Sequence, residues 1–208
     1  MTDQATQAKP PTRDRARTEE AIIAAARDVL ADQGFQGFGI NAIARRAGCD
    51  KQLLYRYYGG LDGLADAIGN DVAKGLGQRL TELAGEGAPD SYGALIEKLL
   101  LGFIAVLRAD ALLQRIIAWE VSEPSSMTTR FATARGLVLQ RWVEKQRGAL
   151  VPPAGVDAAA INAVLIAAAQ HLVLSSTAIG GFAGIDLVSD EDWQRIGHSI
   201  GQLVRGVY

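Results

Sequence analysis

The chain of 208 residues is long enough for one or two domains with a sizeable core. Hydrophobic residues make up 49% and charged residues 21%, a balance that is typical of globular proteins and excludes a largely disordered chain. The net charge of −2 does not itself indicate nucleic-acid binding. However, residues 1–60 carry nine Lys and Arg against seven Asp and Glu, and these cations are clustered, which is what binding to phosphates needs.

The chain shows no sequence feature of secretion or of metal binding. Its single cysteine, Cys49, excludes an intrachain disulfide and a cage of cysteine ligands. The polar N-terminus predicts no signal peptide. Residues 158–181 are long and apolar, but Ala dominates them and polar residues such as Asn162 and His171 interrupt them, so they predict a buried helix rather than a membrane span. We therefore expect a cytoplasmic protein that binds no metal, no cofactor and no membrane.

The first 60 residues predict a flexible arm and three helices. Residues 1–14 are polar, basic and rich in proline, and indicate a flexible arm. Apolar residues at spacings of three and four predict a helix over 17–33, which Gly34 ends in a left-handed conformation. Two short helices follow at 40–47 and 51–57, and a Gly-containing turn joins them. That arrangement is typical of a helix-turn-helix.

The remainder of the chain predicts helices only. Apolar periodicity and capping residues place them at 61–84, 92–108, 110–121, 124–150, 157–179 and 189–206. Residues 180–187 are expected to form a loop, and no alternating strand pattern of useful length occurs. The predicted fold class is therefore all-α, with about nine helices.

Residues 39–64 carry a recognisable pattern, GINAIARRAGCDKQLLYRYYGGLDGL, which resembles the DNA-binding segment of the TetR family. The resemblance covers about residues 15–65 closely. Beyond them it depends on a similar helical layout and length. The matching positions are Ile43, Ala44, Ala47, Gly48, Leu54, Tyr55, Tyr57, Tyr58 and Leu64.

The pattern also departs from the family at four positions. Cys49 and Asp50 stand where the family usually has Val and Ser, and Gly39 stands where a capping Thr is common. Leu61 replaces the usual Lys, which in the family contacts a phosphate at the start of the fourth helix. The resemblance therefore implies one phosphate contact fewer, for which the basic arm is the candidate substitute.

The resemblance implies an N-terminal DNA-binding domain at 15–60 and a ligand-binding and dimerisation domain at 61–208. The second helix of a helix-turn-helix enters the major groove, so Lys51 and Gln52 are expected on base edges and Leu53 on a thymine methyl group. The other candidates are expected on phosphates, on the groove edge or in the minor groove, and a plain solvated helix surface is the alternative for Arg45. The remaining candidates are Arg13, Arg15, Arg17, Asn41, Arg45, Tyr55, Arg56 and Tyr57.

The resemblance further implies a homodimer on a palindromic double-stranded DNA operator, formed by the last two helices and released by a small-molecule effector. Small residues on the eighth helix and an apolar stripe on the ninth are the expected interface, with intrachain core as the alternative: Ala163, Ala167, Trp193, Ile196, Ile200 and Leu203. An apolar wall with polar anchors is the expected effector pocket, although each residue is also compatible with plain core or surface. Its candidates are Phe103, Leu107, Arg115, Trp119, Glu120, Phe131, Trp142, Gln170, His171 and Leu174.

The sequence also bears on two other functions. An enzyme is disfavoured, since the sequence shows no nucleophile elbow, phosphate-binding loop or His-Glu zinc motif. The sequence is also compatible with a helix-turn-helix regulator that is controlled by a protein partner or is constitutive. An apolar pocket with polar anchors would argue against that regulator, and a filled core would favour it.

Overall fold

The computed structural model describes residues 12–85 and 87–208, with the side chains of Thr12 and Arg13 outside the description. The predicted role of Arg13 and most of the predicted arm therefore lie outside the described residues. The described residues form nine helices and one short hairpin, in agreement with the all-α prediction: α1 Thr12–Gly37, α2 Ile40–Ala47, α3 Lys51–Tyr58, α4 Leu61–Ala84, α5 Tyr92–Ala109, α6 Ala111–Ser122, α7 Ser126–Arg147, α8 Ala158–Ile179, β1 Gly181–Phe182, β2 Ile185–Asp186 and α9 Asp190–Val207.

The chain divides into two compact units, Met1–Ile68 and Gly69–Tyr208, whereas the sequence suggested a boundary after residue 60. The difference arises because the first turns of α4 bury Leu64, Ala65 and Ile68 completely in the first unit. The helix therefore begins in one unit and continues into the other.

Helix α1 starts earlier than the prediction of residue 17. It is already helical at Thr12, with Asp14 in its first turn, where the helix dipole favours negative charge. An Arg15–Glu19 pair one turn apart supports the same turn. Residues 12–14 therefore belong to a helix and not to the arm. Near its other end, Gly34 has φ 66° and ψ −169°, a conformation that suits glycine and interrupts the helix where the sequence predicted its end.

The helix-turn-helix has the predicted form. Gly48 ends α2 in the left-handed conformation, and Asp50 precedes α3, where its carboxylate accepts a hydrogen bond from the backbone N–H of Gln52 at 2.8 Å. Ile43 of α2 and Leu54 of α3 are fully buried. The caps fix where the two helices begin and end, and the buried residues fix which face each helix turns outward.

Helix α5 is the central helix of the second unit, since it packs against α6, α7, α8 and α9. Its buried residues include Leu95, Leu99 and Phe103. Helix α7 is shorter than the predicted 124–150, because Ser125 and Thr128 form a reciprocal capping box that starts the helix after Pro124, and Gly148 ends it. These helices carry the predicted effector site.

The segment after α8 was predicted as a loop, and that prediction is wrong. Gly181 pairs with Asp186 and Phe182 with Ile185 in an antiparallel hairpin. Ala183 and Gly184 form its turn with positive φ values of 51° and 80°, as a two-residue hairpin turn requires. Strands of two residues produce no alternating pattern, so the sequence could not reveal them.

Helix α8 is long and apolar enough to cross a membrane by length and composition, with a mean hydropathy of 1.7. The expectation that it is buried is wrong for the single chain, because only 11% of its most apolar window lies inside the protein. Its buried residues are Ala169, Val173 and Ser175, of which Ala169 and Val173 lie on one side.

Candidate functional site

Helix α3 presents a polar outer face. Lys51, Gln52, Tyr55 and Arg56 are exposed, whereas Leu54 points into the core. Because Asp50 satisfies the backbone N–H of Gln52, the amide side chain of Gln52 is not needed for capping. Leu53, which was predicted to touch a thymine methyl, is half-buried. The face therefore offers hydrogen-bond donors of the kind that read base edges and grip phosphates.

The basic residues of the first unit differ in whether an acidic partner already holds them. Arg46 bonds Asp32 at 2.5 Å and lies 3.5 Å from Asp28, and the hydrogen bond to Asp32 raises the pKa of its guanidinium. Arg46 therefore braces α2 against α1. Arg45 and Lys51 are exposed and form no ion pair with the described residues. Their charge is available to phosphates.

A tyrosine lies among the cations at the junction of α1 and α3. The guanidinium carbons of Arg15 and Arg56 both lie 5.2 Å from the centre of the Tyr57 ring. Glu19 accepts a hydrogen bond from Nε of Arg15 at 2.8 Å. Tyr58 packs edge-on to Tyr57, and burial together with the Glu19 charge raises the pKa of its hydroxyl to about 12. Tyr58 is thus neutral at any physiological pH.

Two further DNA-binding candidates do not contact the Tyr57 ring. Asn41 is exposed near the start of α2, and Arg17 is exposed on the first turns of α1. The structure brings Arg15, Arg56 and Tyr57 into one cluster, which the exposed Arg17, Asn41 and Arg45 do not join. The role of each in DNA binding stays a prediction.

The expected effector residues separate into three groups. Phe103, Leu107, Phe131 and Trp142 are buried, and Trp119, Glu120, Gln170 and Leu174 are half-buried. Arg115 and His171 are exposed in the single chain, unlike the buried anchors that the sequence predicted, and their role in ligand binding stays a prediction. Arg115 lies on the outer face of α6, and His171 lies on the exposed side of α8 against the ring of Phe182.

Of the polar side chains predicted to anchor a ligand, Glu120 forms an ion pair inside the second unit, whereas its partner Arg135 and the buried Gln114 were not among the predicted residues. Glu120 is paired with Arg135 of α7 at 2.5 Å, and both side chains are mostly buried. Gln114 donates a hydrogen bond to the carbonyl of Leu107 at 2.8 Å and accepts one from Thr177 at 2.7 Å. It was missed, although a single glutamine within the apolar run that begins α6 was a usable signal.

The indole N–H of Trp142 is a buried polar group without a hydrogen-bond partner among the described residues. The residue is 5% exposed. A buried donor left unsatisfied costs on the order of 1–3 kcal/mol, so such groups call for an explanation.

A groove of about 570 Å³ runs along α5 and α9 at the surface. Leu101, Arg108 and Trp193 are among its lining residues, and Arg108 stacks on the Trp193 ring at 4.8 Å. None of the residues predicted to bind the effector lines it. The groove and the predicted pocket are therefore different places.

The expected interface residues separate into an inner and an outer set. Trp193, Ile196 and Ile200 are buried within the single chain, and the helix that carries them packs on α5, which favours the alternative of intrachain core over a dimer interface. Leu203, in contrast, is 60% exposed. Ala163 and Ala167 are also exposed, within a stripe along α8 that we call the α8 outer face: Ala160, Ala163, Val164, Ala167, Ala168 and His171.

Within residues 12–85 and 87–208, no three His, Cys, Asp or Glu side chains lie together in a way that could hold a metal ion.

Comparisons with known proteins concern both the first unit and the whole chain. Residues 22–68 match the family model of bacterial regulatory proteins of the tetR family. No curated protein matches the sequence. Solved structures match over nearly the whole chain, at low sequence identity.

Three of these structures illustrate the likeness. A putative TetR-family transcriptional regulator from Rhodococcus sp. has a TM-score of 0.64 at 21% identity and covers 90% of this chain and 98% of its own. The transcriptional regulator FadR from Bacillus subtilis, in complex with stearoyl-CoA, has a TM-score of 0.61 at 16% identity and covers 89% and 96%. The fatty acid degradation regulator FadR from Bacillus halodurans has a TM-score of 0.61 at 15% identity and covers 91% and 98%. At these identities the likeness shows a shared fold.

Proposed function

We propose that the chain is a TetR-family transcriptional regulator, as the family match of residues 22–68 supports, and that it is a repressor that binds a palindromic operator as a homodimer and is released by a small-molecule ligand. The observation that carries the DNA-binding part is the outer face of α3. Lys51, Gln52 and Tyr55 are exposed there on a helix whose inner side is fixed by the buried Leu54. A protein with this role works in the cytoplasm and needs no catalytic site.

DNA binding is tested by mobility shift of the purified protein on its own upstream DNA across a salt series. We expect a specific, salt-sensitive complex with two protomers per site. Replacing Tyr55 with Ala should weaken the complex at least fivefold, the order of one lost contact. Leu83→Ala is the matched control, because Leu83 is 56% exposed and Tyr55 55%, and Leu83 belongs to the second unit. Equal affinity of wild type and Tyr55→Ala would contradict the assignment of α3.

The homodimer is supported by the α8 outer face. Val164 is 68% exposed and most of its neighbours on this face are Ala, so two such faces can approach closely and exclude water from apolar surface. A membrane-spanning helix is disfavoured, since α8 packs with its other side on α5 and is not apolar surface all round. A second copy of the chain, packed on the α8 outer face, is the partner that fits a dimeric DNA-binding protein.

Sedimentation velocity tests this interface. Ala167→Glu should convert the dimer to monomers, because each copy would place a charge in the apolar contact. Ala118→Glu makes the same change at an exposed Ala of α6, away from α8, and should leave the dimer intact. A dimer that survives Ala167→Glu with unchanged affinity would place the interface elsewhere.

A small-molecule effector is supported by the unsatisfied indole N–H of Trp142 among the buried aromatic residues of the second unit. A ligand with a hydrogen-bond acceptor would satisfy it, in the way that a few polar groups orient ligands in mainly apolar sites. The Bacillus subtilis FadR structure holds stearoyl-CoA, which makes long-chain acyl compounds the first to be tried.

The effector screen follows release of operator DNA and the rise in thermal unfolding temperature. An effector that binds near Trp142 should raise the unfolding temperature of wild type and bind Trp142→Phe more weakly. Trp193→Phe is the control, since Trp193 already donates its N–H to the carbonyl of Leu187. Equal binding to both variants would contradict the role of Trp142.

A regulator without a small-molecule effector is the second candidate. Its supporting observation is that Phe103, Leu107 and Phe131 are at most 2% exposed, as in a filled core. If no ligand shifts the unfolding temperature while operator binding is intact, this candidate is favoured.

A further inference from the structure

We propose that Tyr57 is a positioning residue for DNA binding, whose ring holds the Arg15 guanidinium of α1 beside Arg56 of α3 as a ready-made fork for one backbone phosphate. The proposal rests on the DNA-binding function above. It differs from the general expectation that Tyr57 touches DNA, because the ring acts here through an arginine.

The hydrogen bonding of Arg15 leaves the two terminal nitrogens of its guanidinium available to a phosphate. Only its Nε is engaged, donating to Glu19 at 2.8 Å, while the two terminal nitrogens form no hydrogen bond with the described residues. Those nitrogens carry the paired N–H groups that match two oxygens of a phosphate. Glu19 thus fixes the base of the guanidinium without occupying its outer edge.

The Tyr57 ring provides the second hold. Its centre lies 5.2 Å from the Arg15 guanidinium carbon, within the range of a cation–π contact. Arg15 and Tyr57 lie on different helices, so the contact links the start of α1 to the DNA-facing helix. Without the ring, the exposed Arg15 side chain would sample many rotamers, and part of that freedom would be lost on binding.

The position of Arg56 makes a shared phosphate site reasonable. Its guanidinium carbon also lies 5.2 Å from the Tyr57 ring, and its side chain is exposed on α3 with no ion pair among the described residues. Since both arginines lie against one ring, their guanidinium carbons are within about 10 Å of each other, a span that one phosphate between them can bridge. A phosphate is the DNA group that such a pair of cations attracts, and the contact carries no sequence information.

The experiment is a double-mutant cycle on DNA affinity. Wild type, Arg15→Gln, Tyr57→Leu and the double variant are titrated with upstream DNA and with a scrambled duplex, each over a salt series. Arg15→Gln should reduce the salt slope by about one, the value for one lost phosphate contact, on both DNAs alike. Tyr57→Leu should weaken binding by about two- to fivefold, the worth of an exposed cation–π contact. In the Arg15→Gln background that loss should be smaller, because only the contact of the ring with Arg56 is then removed.

Two variants separate positioning from other roles. Tyr57→Phe keeps the ring and should bind within twofold of wild type, whereas an effect as large as that of Tyr57→Leu would overturn the proposal in favour of a direct hydroxyl contact. Arg45→Gln removes an exposed cation that does not contact Tyr57, so its cycle with Tyr57→Leu should be additive. If urea unfolding shows that Tyr57→Leu does not fold, Tyr57→Met replaces it.

Additivity of Arg15→Gln and Tyr57→Leu would overturn the positioning role while leaving DNA binding intact. A wild-type protein without specific, salt-dependent binding would overturn the proposed function itself, and this inference with it. The two failures are therefore distinguishable.

Discussion

The close approach of α4 to the end of α3 leads to a sharp prediction for Gly63→Ala. A Cβ atom built on Gly63 would lie 1.9 Å from the carbonyl oxygen of Tyr58. That oxygen is backbone at the end of α3, where Gly59 closes the helix by donating its N–H to Tyr55 at 2.8 Å. The carbonyl therefore cannot move away without shifting α3, the helix proposed to contact DNA.

The size of the effect follows from the overlap. To reach even 3.0 Å, the two helices would have to separate by about 1 Å, and such overpacking costs on the order of 1–3 kcal/mol in the free energy of unfolding. Gly75 is the matched control on the same helix, because a Cβ there meets nothing within 4 Å. Gly75→Ala should stabilise the protein by up to about 1 kcal/mol through helix propensity.

Urea unfolding followed by circular dichroism measures both changes. We expect a lower midpoint for Gly63→Ala, a higher one for Gly75→Ala, and weaker DNA binding only for Gly63→Ala. The reasoning would be refuted if Gly63→Ala matched or exceeded the wild-type midpoint, since the two helices would then have room for a methyl group that the structure does not provide.

Other predictions concern the second unit. Glu120→Ala should lower the free energy of unfolding by on the order of 3 kcal/mol, because it leaves Arg135 charged and mostly buried, and adding Arg135→Met should recover much of the loss; no recovery in urea unfolding would contradict this. Hydrogen bonding from the Ser189 backbone N–H lowers the pKa of Asp192, so this capping contribution to stability is present above about pH 4 and lost as pH falls through the lower folded pKa. Asp192→Asn should therefore flatten the dependence of stability on pH in that acid range, and an unchanged slope would show that the cap contributes nothing.

The helix-turn-helix could be predicted from sequence because its signals are local. Gly48 and Asp50 set the boundaries of two short helices by backbone geometry and capping, and the buried Ile43 and Leu54 set their faces. The family model that matches residues 22–68 confirms the resemblance drawn from these positions. In contrast, the contact of Arg15 with Tyr57 joins residues that are distant in the chain, and no local pattern indicates it.

The differences between expectation and structure in the second unit have a common physical origin. A period of three to four apolar residues shows that one side of a helix is covered, but does not show whether the same chain or another copy covers it. Trp193, Ile196 and Ile200 follow this pattern and belong to the protomer core. Arg115 and His171 interrupt apolar runs, a pattern that is compatible with a polar anchor in a pocket but that also marks the exposed side of a helix.

Folding and the proposed assembly use different faces of the last two helices. Large residues such as Trp193 and Ile200 hold α9 on α5 from the inside, and they leave Leu203 on the outside. On α8 the exposed side consists mostly of the small residue Ala, which admits close approach by another helix. A charge at Ile200 should therefore reduce the stability of each protomer, whereas a charge at Ala167 should act on the dimer alone. Apolar residues on α8 and α9 are thus proposed to serve both the protomer core and the dimer interface, and the exposed fraction of each residue in the single chain distinguishes the two roles.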